Sequence, residues 1–242
     1  MVRTMEYKYT AIIIGKKDVG ETDRIYSLYT REVGLLSVIA KGVRKPQAKL
    51  AAALETLTLS DVSVQRSRGR GAVSGAIIEQ DFRFLKKDAD ALVEALEAVF
   101  FLQKMLGAEE RDEELFRLIF TYLSSLDEAV RTKNVAALPV LNAAFELKVS
   151  GALGYALELE NCAHCAGPLG GERITVGAGA GGALCADCAP SERNPLQLSV
   201  NAIKLGRLAQ RNSLAALAKV RCERRDALML RRVARSFLEW SR

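Results

Sequence analysis

The stretch Cys162-Ala163-His164-Cys165, followed after nineteen residues by Cys185-Ala186-Asp187-Cys188, organises the whole chain. Two residues between cysteines allow a tight turn to point both sulfur atoms at one ion, and a second turn completes a tetrahedron of thiolates. This spacing is typical of a zinc ribbon. The joining segment is glycine-rich from 177 to 182, so it offers few side chains for a core. The sequence therefore predicts one structural zinc ion per chain, bound by Cys162, Cys165, Cys185 and Cys188.

Two other readings of these cysteines are weaker. Disulfides form in oxidising compartments, and the N-terminal residues contain no signal-peptide core. A thioredoxin-type redox motif needs only one C-x-x-C pair. His164, the single histidine of the chain, is a bystander, because four thiolates already complete the coordination sphere. We assign no role to the fifth cysteine, Cys222.

Length and charge limit the remaining possibilities. A chain of 242 residues can form one to two domains, and the sequence predicts no membrane span and a cytoplasmic protein. Residues 1–86 hold 15 Lys and Arg against 9 Asp and Glu, and residues 191–242 hold 12 against 4. Residues 87–160 between them hold only 7 against 14. Two basic ends around an acidic middle indicate a polyanionic partner, although solvated surfaces would give the same pattern.

The first third of the chain has the pattern of a small β-barrel. Five segments of strand-like periodicity, with a bulge expected near Ser60 and Asp61, fit an OB-fold that occupies residues 1–82. These segments are 7–14, 25–30, 35–40, 54–64 and 72–78, and only a short helix near 47–53 fits between them.

Two loops of this predicted barrel are basic and contain glycine. Glycine allows the backbone to approach a phosphate, and arginine donates two hydrogen bonds to its oxygens. The candidate DNA-binding residues are Lys41, Arg44, Lys45, Lys49, Arg66, Arg68 and Arg70. Four tyrosines could stack on bases, but each is more readily explained as core or rim: Tyr7, Tyr9, Tyr26 and Tyr29.

From Asp88 onward the apolar period changes from two to 3.6 residues. The first helical stripe is Leu92, Leu96, Val99, Leu102 and Leu106. Further helices begin near Asp112 and Pro139, a fourth is capped by Ser199, and a last one covers about 223–240. The sequence thus predicts an α+β multidomain protein. Its helical bundle comprises 83–160 and 190–242 and carries a Cys₄ zinc-binding insert at 161–189.

The last helix carries arginines opposite an apolar stripe, and a neighbouring helix adds two cations. These residues could bind the acidic tail of a partner protein or form a second DNA surface. They are Lys204, Arg207, Arg224, Arg225, Arg231, Arg232 and Arg235.

Several stretches together resemble the bacterial recombination mediator family RecO. They are Gly20-Glu21-Thr22-Asp23-Arg24, Ala40-Lys41-Gly42-Val43-Arg44-Lys45, and Leu153-Gly154-Tyr155 ahead of the two cysteine pairs. Family members often have Cys-Gly at the end of the first pair, whereas this chain has Cys165-Ala166-Gly167, which moves a turn glycine by one position.

The resemblance implies a DNA-repair protein that is not an enzyme. Such proteins bind single- and double-stranded DNA and anneal complementary strands. They help to load a recombinase onto DNA coated by single-stranded-DNA-binding protein (SSB), together with the partner RecR, and they contact the acidic, Phe-terminated tail of SSB.

The residues agree with a binding protein and leave two alternatives. The sequence contains no P-loop, and its one histidine lies inside a cysteine pair. A zinc-ribbon transcription or RNA-binding module would share the barrel and the basic loops but need not anneal strands. A nuclease would need clustered carboxylates, for which Asp61, Glu79 and Asp81 are the candidates near the barrel.

Overall fold

The N-terminal strands pair into a closed barrel. The computed structural model describes residues 5–45, 50–66, 70–107 and 111–240, the last four of them by their backbone alone. The barrel strands are β1 (Met5–Val19), β2 (Asp23–Thr30), β3 (Gly34–Ala40), β4 (Leu59–Arg66) and β5 (Gly71–Gln80). They close in the order β1-β2-β3-β5-β4, with β3 and β5 parallel and the other neighbours antiparallel. This order is compatible with the predicted five-stranded OB-fold.

Strand β1 is longer than the sequence predicted because it pairs with two partners. Its residues 5–12 pair with β4, and residues 11–19 pair with β2. A register shift between Ile13 and Gly15 lies where the pairing changes from one partner to the other. The hydrophobic pattern detected only the buried middle of this strand, since both of its ends are exposed.

Strand β4 begins at Leu59, five residues later than predicted. Leu54 and Leu57 are fully buried, but they lie in turns rather than in a strand, and Leu57 has a φ of 60°. Their burial explains why the sequence suggested an extended segment. The predicted bulge is confirmed, one residue early, as a register shift between Leu59 and Ser60. Of the short helix predicted at 47–53, residues 47–49 lie outside the described residues, and 50–53 form turns.

The chain divides into two compact units. One contains residues 1–83 and 106–123, and the other contains 84–105 and 124–242. The helices that precede the cysteines are α1 (Arg83–Lys87), α2 (Ala89–Met105), α3 (Glu113–Arg131) and α4 (Leu138–Ala152). The first part of α3 belongs to the barrel unit, where the ring of Phe120 lies 6.2 Å from that of Phe82. The three-part domain division drawn from the sequence stays a prediction.

Helix α4 is the core of the second unit. Most of its residues are buried, including the polar Asn142, Glu146 and Ser150. Residues Val135–Ala152, which include α4, are long and apolar enough to cross a membrane by length and composition, and 67% of them are buried inside the protein. The interior of this unit therefore contains an acidic side chain, that of Glu146.

The inward face of helix α2 matches the predicted stripe only in part, since Val99 and Leu102 are buried as predicted. Alanines 91, 95 and 98 are fully buried, whereas Leu96 of the predicted stripe is 40% exposed. The distance between packed helices depends on the side chains at their contact, and small alanine side chains allow the neighbouring helices to approach α2 closely.

The cysteines lie beside a small three-stranded sheet. Its strands are β6 (Arg173–Gly177), β7 (Gly182–Leu184) and β8 (Leu196–Ser199), in the order β7-β6-β8. The chain continues through α5 (Val200–Arg211), α6 (Leu214–Leu217) and α7 (Arg224–Trp240). Ser199 caps α5 as predicted, because its hydroxyl accepts a hydrogen bond from the Ala202 amide at 3.0 Å.

Candidate metal centre and nucleic-acid interface

The four predicted ligands converge on one point. The sulfur atoms of Cys162, Cys165, Cys185 and Cys188 all lie within 4.8 Å of one another. The Cys165 and Cys185 sulfurs are 3.7 Å apart. A tetrahedron with Zn–S bonds of about 2.3 Å has edges of about 3.8 Å, so this separation suits a Zn(Cys)₄ site. The cluster could therefore hold a metal ion with four thiolate ligands.

Backbone turns bring each pair of cysteines together. In the first pair, the Ala166 amide donates to the Cys162 carbonyl at 2.8 Å. In the second, the Ala189 amide donates to the Cys185 carbonyl at 2.9 Å. Ala166 has a φ of 58°, the left-handed conformation that glycine adopts without cost. The left-handed conformation thus occurs at Ala166, the position where family members often have glycine, and not at Gly167.

The electrostatics of the cluster favour a bound cation. Backbone amides of Cys165 and Cys185 donate to the Cys162 sulfur and lower its thiol pKa to about 6. In contrast, the neighbouring Cys185 side chain raises the pKa of Cys188 to about 12. One thiolate forms readily, whereas adjacent thiolates repel each other. A divalent cation would remove this repulsion, because a coordinating thiol is deprotonated outright.

His164 lies beside the cluster rather than in it. Its Nδ1 atom is 3.5 Å from the Cys188 sulfur, which is hydrogen-bond distance for a sulfur acceptor. A metal-bound thiolate has no proton to donate, so in that state the imidazole nitrogen would be the donor. His164 is thus a contact partner of a ligand, a role that the sequence analysis did not assign to it.

Helix α5 anchors the segment that leads into the first cysteine pair. The Arg207 guanidinium donates to the carbonyls of Leu159 at 2.8 Å and Glu160 at 3.1 Å. Gln210 donates to the Leu157 carbonyl at 2.6 Å. Arg207, which the sequence analysis proposed for a partner or DNA surface, therefore holds the cysteine-bearing segment in place.

On the barrel, hydrogen bonds join the turn between β1 and β2 to the basic loop at 41–45. The Asp23 carboxylate accepts hydrogen bonds from the Gly42 amide at 2.8 Å and from the Thr22 hydroxyl at 2.9 Å. The Arg44 amide donates to the Thr22 carbonyl at 3.0 Å. The bond from Gly42 is the main cause of the lowered pKa of Asp23. The β1–β2 turn therefore supports the basic loop at 41–45.

The cations of this loop differ in their freedom. Arg44 donates to the Gly20 carbonyl at 3.1 Å and pairs with Asp18 at 3.4 Å, so it is partly structural. Lys41 and Lys45 are exposed. These two lysines are the loop cations most available to a ligand.

The other candidate DNA-binding residues are located less fully. Arg66 is half-buried at the end of β4, and Arg70 is exposed just before β5. Lys49 and Arg68 lie outside the described residues.

Three of the four barrel tyrosines belong to the core. Tyr9, Tyr26 and Tyr29 are buried, whereas Tyr7 is 37% exposed and stacks on Tyr9 with ring centroids 6.3 Å apart. The outer face of β2 and β3 instead presents half-buried aliphatic and serine side chains: Ile25, Ser27, Leu35, Ser37 and Ile39. Tyr29 lies on the same face, opposite Leu35, but it is only 1% exposed, so this face offers bases no exposed aromatic ring.

Helix α7 contributes a buried arginine to the second unit. Arg231 is 4% exposed and donates to Glu146 at 2.9 Å and to Glu97 at 3.3 Å, and it also pairs with Glu94. Arg235 donates to the same Glu146 carboxylate at 2.6 Å. The structure thus corrects the expectation that the α7 arginines all lie on an open surface. Glu146 could have been noticed in the sequence, since an acidic residue interrupts an otherwise apolar helical stripe there.

Of the other cations predicted on α5 and α7, Arg232 lines a groove, whereas Lys204, Arg224 and Arg225 do not. Arg225 and Arg232 are exposed, Arg224 is exposed and pairs with Glu94 at 3.2 Å, and Lys204 of α5 is exposed. A groove of about 1510 Å³ is lined by Arg232 and Leu228 on α7 and by Arg193 near the second cysteine pair. Sequence analysis missed Arg193, whose isolated position in a loop gave no signal.

Carboxylates do not form a comparable cluster. Within the described residues, the four cysteines are the only group of three or more His, Cys, Asp or Glu side chains close enough to share a metal ion. Asp61, one of the nuclease candidates, accepts a hydrogen bond from the Thr10 hydroxyl at 3.1 Å.

Comparisons with known proteins agree with this architecture. Residues 5–81 match the family model described as "Recombination protein O N terminal", and residues 87–241 match "Recombination protein O C terminal". A protein of Rubrobacter xylanophilus named DNA repair protein RecO is 33% identical over 95% of this chain and 90% of its own length. A protein of the same name from Pelotomaculum thermopropionicum is 30% identical over 97% of this chain and 88% of its own length.

Proposed function

The chain belongs to the RecO family of DNA repair and recombination proteins, and from this premise we propose that it acts by binding DNA rather than by bond chemistry. In this proposal it binds single- and double-stranded DNA and anneals complementary strands. Together with RecR it assists recombinase loading on SSB-coated DNA. It would do so in the cytoplasm, at the nucleoid.

The observation that carries the DNA-binding proposal is the supported basic loop. Lys41 and Lys45 are exposed on a loop that the β1–β2 turn holds through Asp23. Lysine binds phosphate as a point charge, and contacts to phosphate carry no sequence information. Because the outer face of β2 and β3 carries aliphatic and serine side chains, phosphate contacts rather than base stacking would supply the affinity. We therefore expect binding that is independent of DNA sequence.

Annealing follows from the same chemistry. Two complementary strands repel each other through their phosphates, and cations that screen this charge allow them to approach. No nucleotide hydrolysis is needed for this step. A zinc-ribbon RNA-binding module would share the phosphate contacts but need not promote annealing.

The annealing test compares two double variants of equal charge. Lys41→Ala/Lys45→Ala should lose nucleotide-independent annealing of complementary oligonucleotides in a fluorescence-quenching assay. The control, Lys8→Ala/Lys87→Ala, removes two exposed lysines elsewhere and should anneal like the wild type. Wild-type protein that binds strands but does not anneal them would favour the RNA-binding alternative.

For the metal centre we propose one structural zinc ion per chain. The donor set of four thiolates at tetrahedral separations supports zinc and leaves no open coordination position. Elemental analysis should find about one zinc per chain, and Cys162→Ser or Cys188→Ser should lose it. Metal-free protein whose amides in 161–189 exchange as slowly as those of the wild type would contradict a structural role.

The groove beside α7 is our candidate for the acidic SSB tail, with a second DNA surface as the other outcome. It combines the exposed apolar side chain of Leu228 with the cations Arg193 and Arg232. An acidic tail that ends in an aromatic residue needs both features together. Because Arg231 is buried, charge reversal must be made at exposed positions instead.

The groove test uses the variant Arg193→Glu/Arg232→Glu, which reverses two exposed cations that line the groove. The tail peptide and a single-stranded oligonucleotide are titrated separately into this variant and into the wild type. Weaker peptide binding with unchanged oligonucleotide binding assigns the groove to the tail. The reverse result assigns it to DNA.

A further inference from the structure

We propose that Asp23 is a positioning residue for DNA binding, although its charge is repulsive to phosphate. The inference rests on the proposed DNA contacts of Lys41 and Lys45. The Asp23 side chain acts through the backbone of the basic loop, which it holds in the conformation that presents both lysines outward.

The geometry of the loop carries this inference. Gly42 has a φ of 65°, and its amide points at the Asp23 carboxylate at 2.8 Å. The two residues that flank the 42–44 turn are the exposed Lys41 and Lys45. Side-chain carbons of Lys45 lie 3.8 Å from the position that a Cβ atom on Gly42 would occupy, so Lys45 folds back over the same turn. A single acceptor thus fixes the turn between the two cations.

Further hydrogen bonds join the same loop to the β1–β2 turn. The Arg44 amide donates to the Thr22 carbonyl, and the Arg44 side chain reaches the Gly20 carbonyl. Thr22 in turn donates its hydroxyl to Asp23. Removing the Asp23 acceptor would leave the Gly42 amide unpaired and free the turn to adopt other conformations.

The competing view is purely electrostatic. Lys41 and Lys45 lie near enough to Asp23 that their charges contribute to its lowered pKa, after the Gly42 and Thr22 hydrogen bonds. If Asp23 only neutralised these lysines, its removal would strengthen DNA binding. The two views therefore predict opposite signs for the same substitution.

A matched pair of variants separates the two views. Asp23→Asn and Asp23→Ala remove the same negative charge, but asparagine keeps an oxygen that can accept from the Gly42 amide. Glu21→Ala serves as the control, because Glu21 is an exposed acid in the same turn with no role in the bonds described above. Affinity for a single-stranded oligonucleotide is measured by fluorescence anisotropy across a salt series. Exchange of the Gly42 amide is followed by NMR.

We expect Asp23→Ala to bind more weakly and Asp23→Asn and Glu21→Ala to bind as tightly as the wild type or tighter. Each lost phosphate contact on a single strand reduces the salt slope by about 0.7, which corresponds to about fivefold in affinity at 0.1 M salt. Asp23→Ala should therefore lose between about fivefold and about 25-fold, for one or both lysines. The Gly42 amide should exchange faster in the alanine variant only.

Equal affinities for Asp23→Ala and Asp23→Asn would overturn the positioning role, as would unchanged Gly42 exchange in Asp23→Ala. Failure of the proposed function looks different. In that case Lys41→Ala/Lys45→Ala binds DNA like the wild type, while Gly42 exchange still responds to the loss of Asp23.

Discussion

The basic loop of the barrel and the basic helix α7 resemble each other in sequence and differ in structure. In the loop, Lys41 and Lys45 are exposed, and an acidic residue, Asp23, bonds to the backbone between them. In α7, Arg231 is buried, and it shares the carboxylate of Glu146 with Arg235. The loop lysines are therefore exposed, and the nearby acid bonds to the backbone between them. In α7, by contrast, acids of α2 and α4 pair directly with the arginine side chains.

This difference shows that the net charge of a segment does not give the number of cations available to a polyanion. Residues 191–242 carry 12 Lys and Arg against 4 Asp and Glu, but part of this excess pairs with acids from the acidic middle of the chain. Those pairs contribute to the fold and are unavailable to a polyanion. The acidic and basic segments are thus partly each other's partners.

Replacing Arg231 by alanine should have the largest effect on stability. It would leave the buried Glu146 carboxylate without one of its two arginine partners, and breaking a buried pair typically costs about 3–5 kcal/mol. Urea unfolding measures this loss. The exposed pair of Arg131 with Glu128 provides the control, and Arg131→Ala should leave the unfolding midpoint unchanged. If both variants lose the same amount of stability, the buried pairing of α7 contributes no more than an exposed ion pair, and the contrast between α7 and the loop is wrong.

Replacing Gly42 by alanine should have a smaller effect, confined to the loop. A Cβ atom there would meet only ordinary contacts, so the cost arises from the left-handed backbone and amounts to about 1–2 kcal/mol. We expect weaker DNA binding that can be followed by anisotropy. Wild-type affinity together with wild-type stability would show that the loop does not need this conformation.

Replacing Ala166 by glycine should raise stability, by about 1 kcal/mol, because glycine removes the strain of the left-handed conformation after Cys165. Thermal unfolding of the zinc-loaded protein measures the change. A lower melting temperature would mean that Ala166 is not strained. This variant compares the turn within the cysteine cluster with the turn that Asp23 holds in the basic loop.

The sequence predicted the barrel, the cysteine cluster and most helices because their patterns are local. Cysteine spacing, alternation and the cap at Ser199 each involve residues close together in the chain. The inward face of α2 was predicted only in part: Val99 and Leu102 are buried, but buried alanines carry a weak hydrophobic signal, and Leu96 is exposed. The start of β4 was misplaced because Leu54 and Leu57 are buried in turns.

The contacts that separate the loop from α7 could not be predicted in the same way. Asp23 meets Gly42 across 19 positions, and Arg231 meets Glu146 across 85. No periodicity connects such residues, so the sequence showed both ends as basic and could not tell exposed cations from paired ones. Glu146 inside an apolar helix was the one visible sign of a buried partner.

The salt dependence of single-strand binding tests the central claim most directly. The claim is that the exposed lysines of the barrel loop, and not the overall basic charge, bind phosphates. We expect the slope of log K against log salt to flatten by about 1.4 in Lys41→Ala/Lys45→Ala, the value for two lost phosphate contacts. In Lys8→Ala/Lys87→Ala, which has the same net charge, the slope should stay at the wild-type value. Equal flattening in both variants would contradict the account.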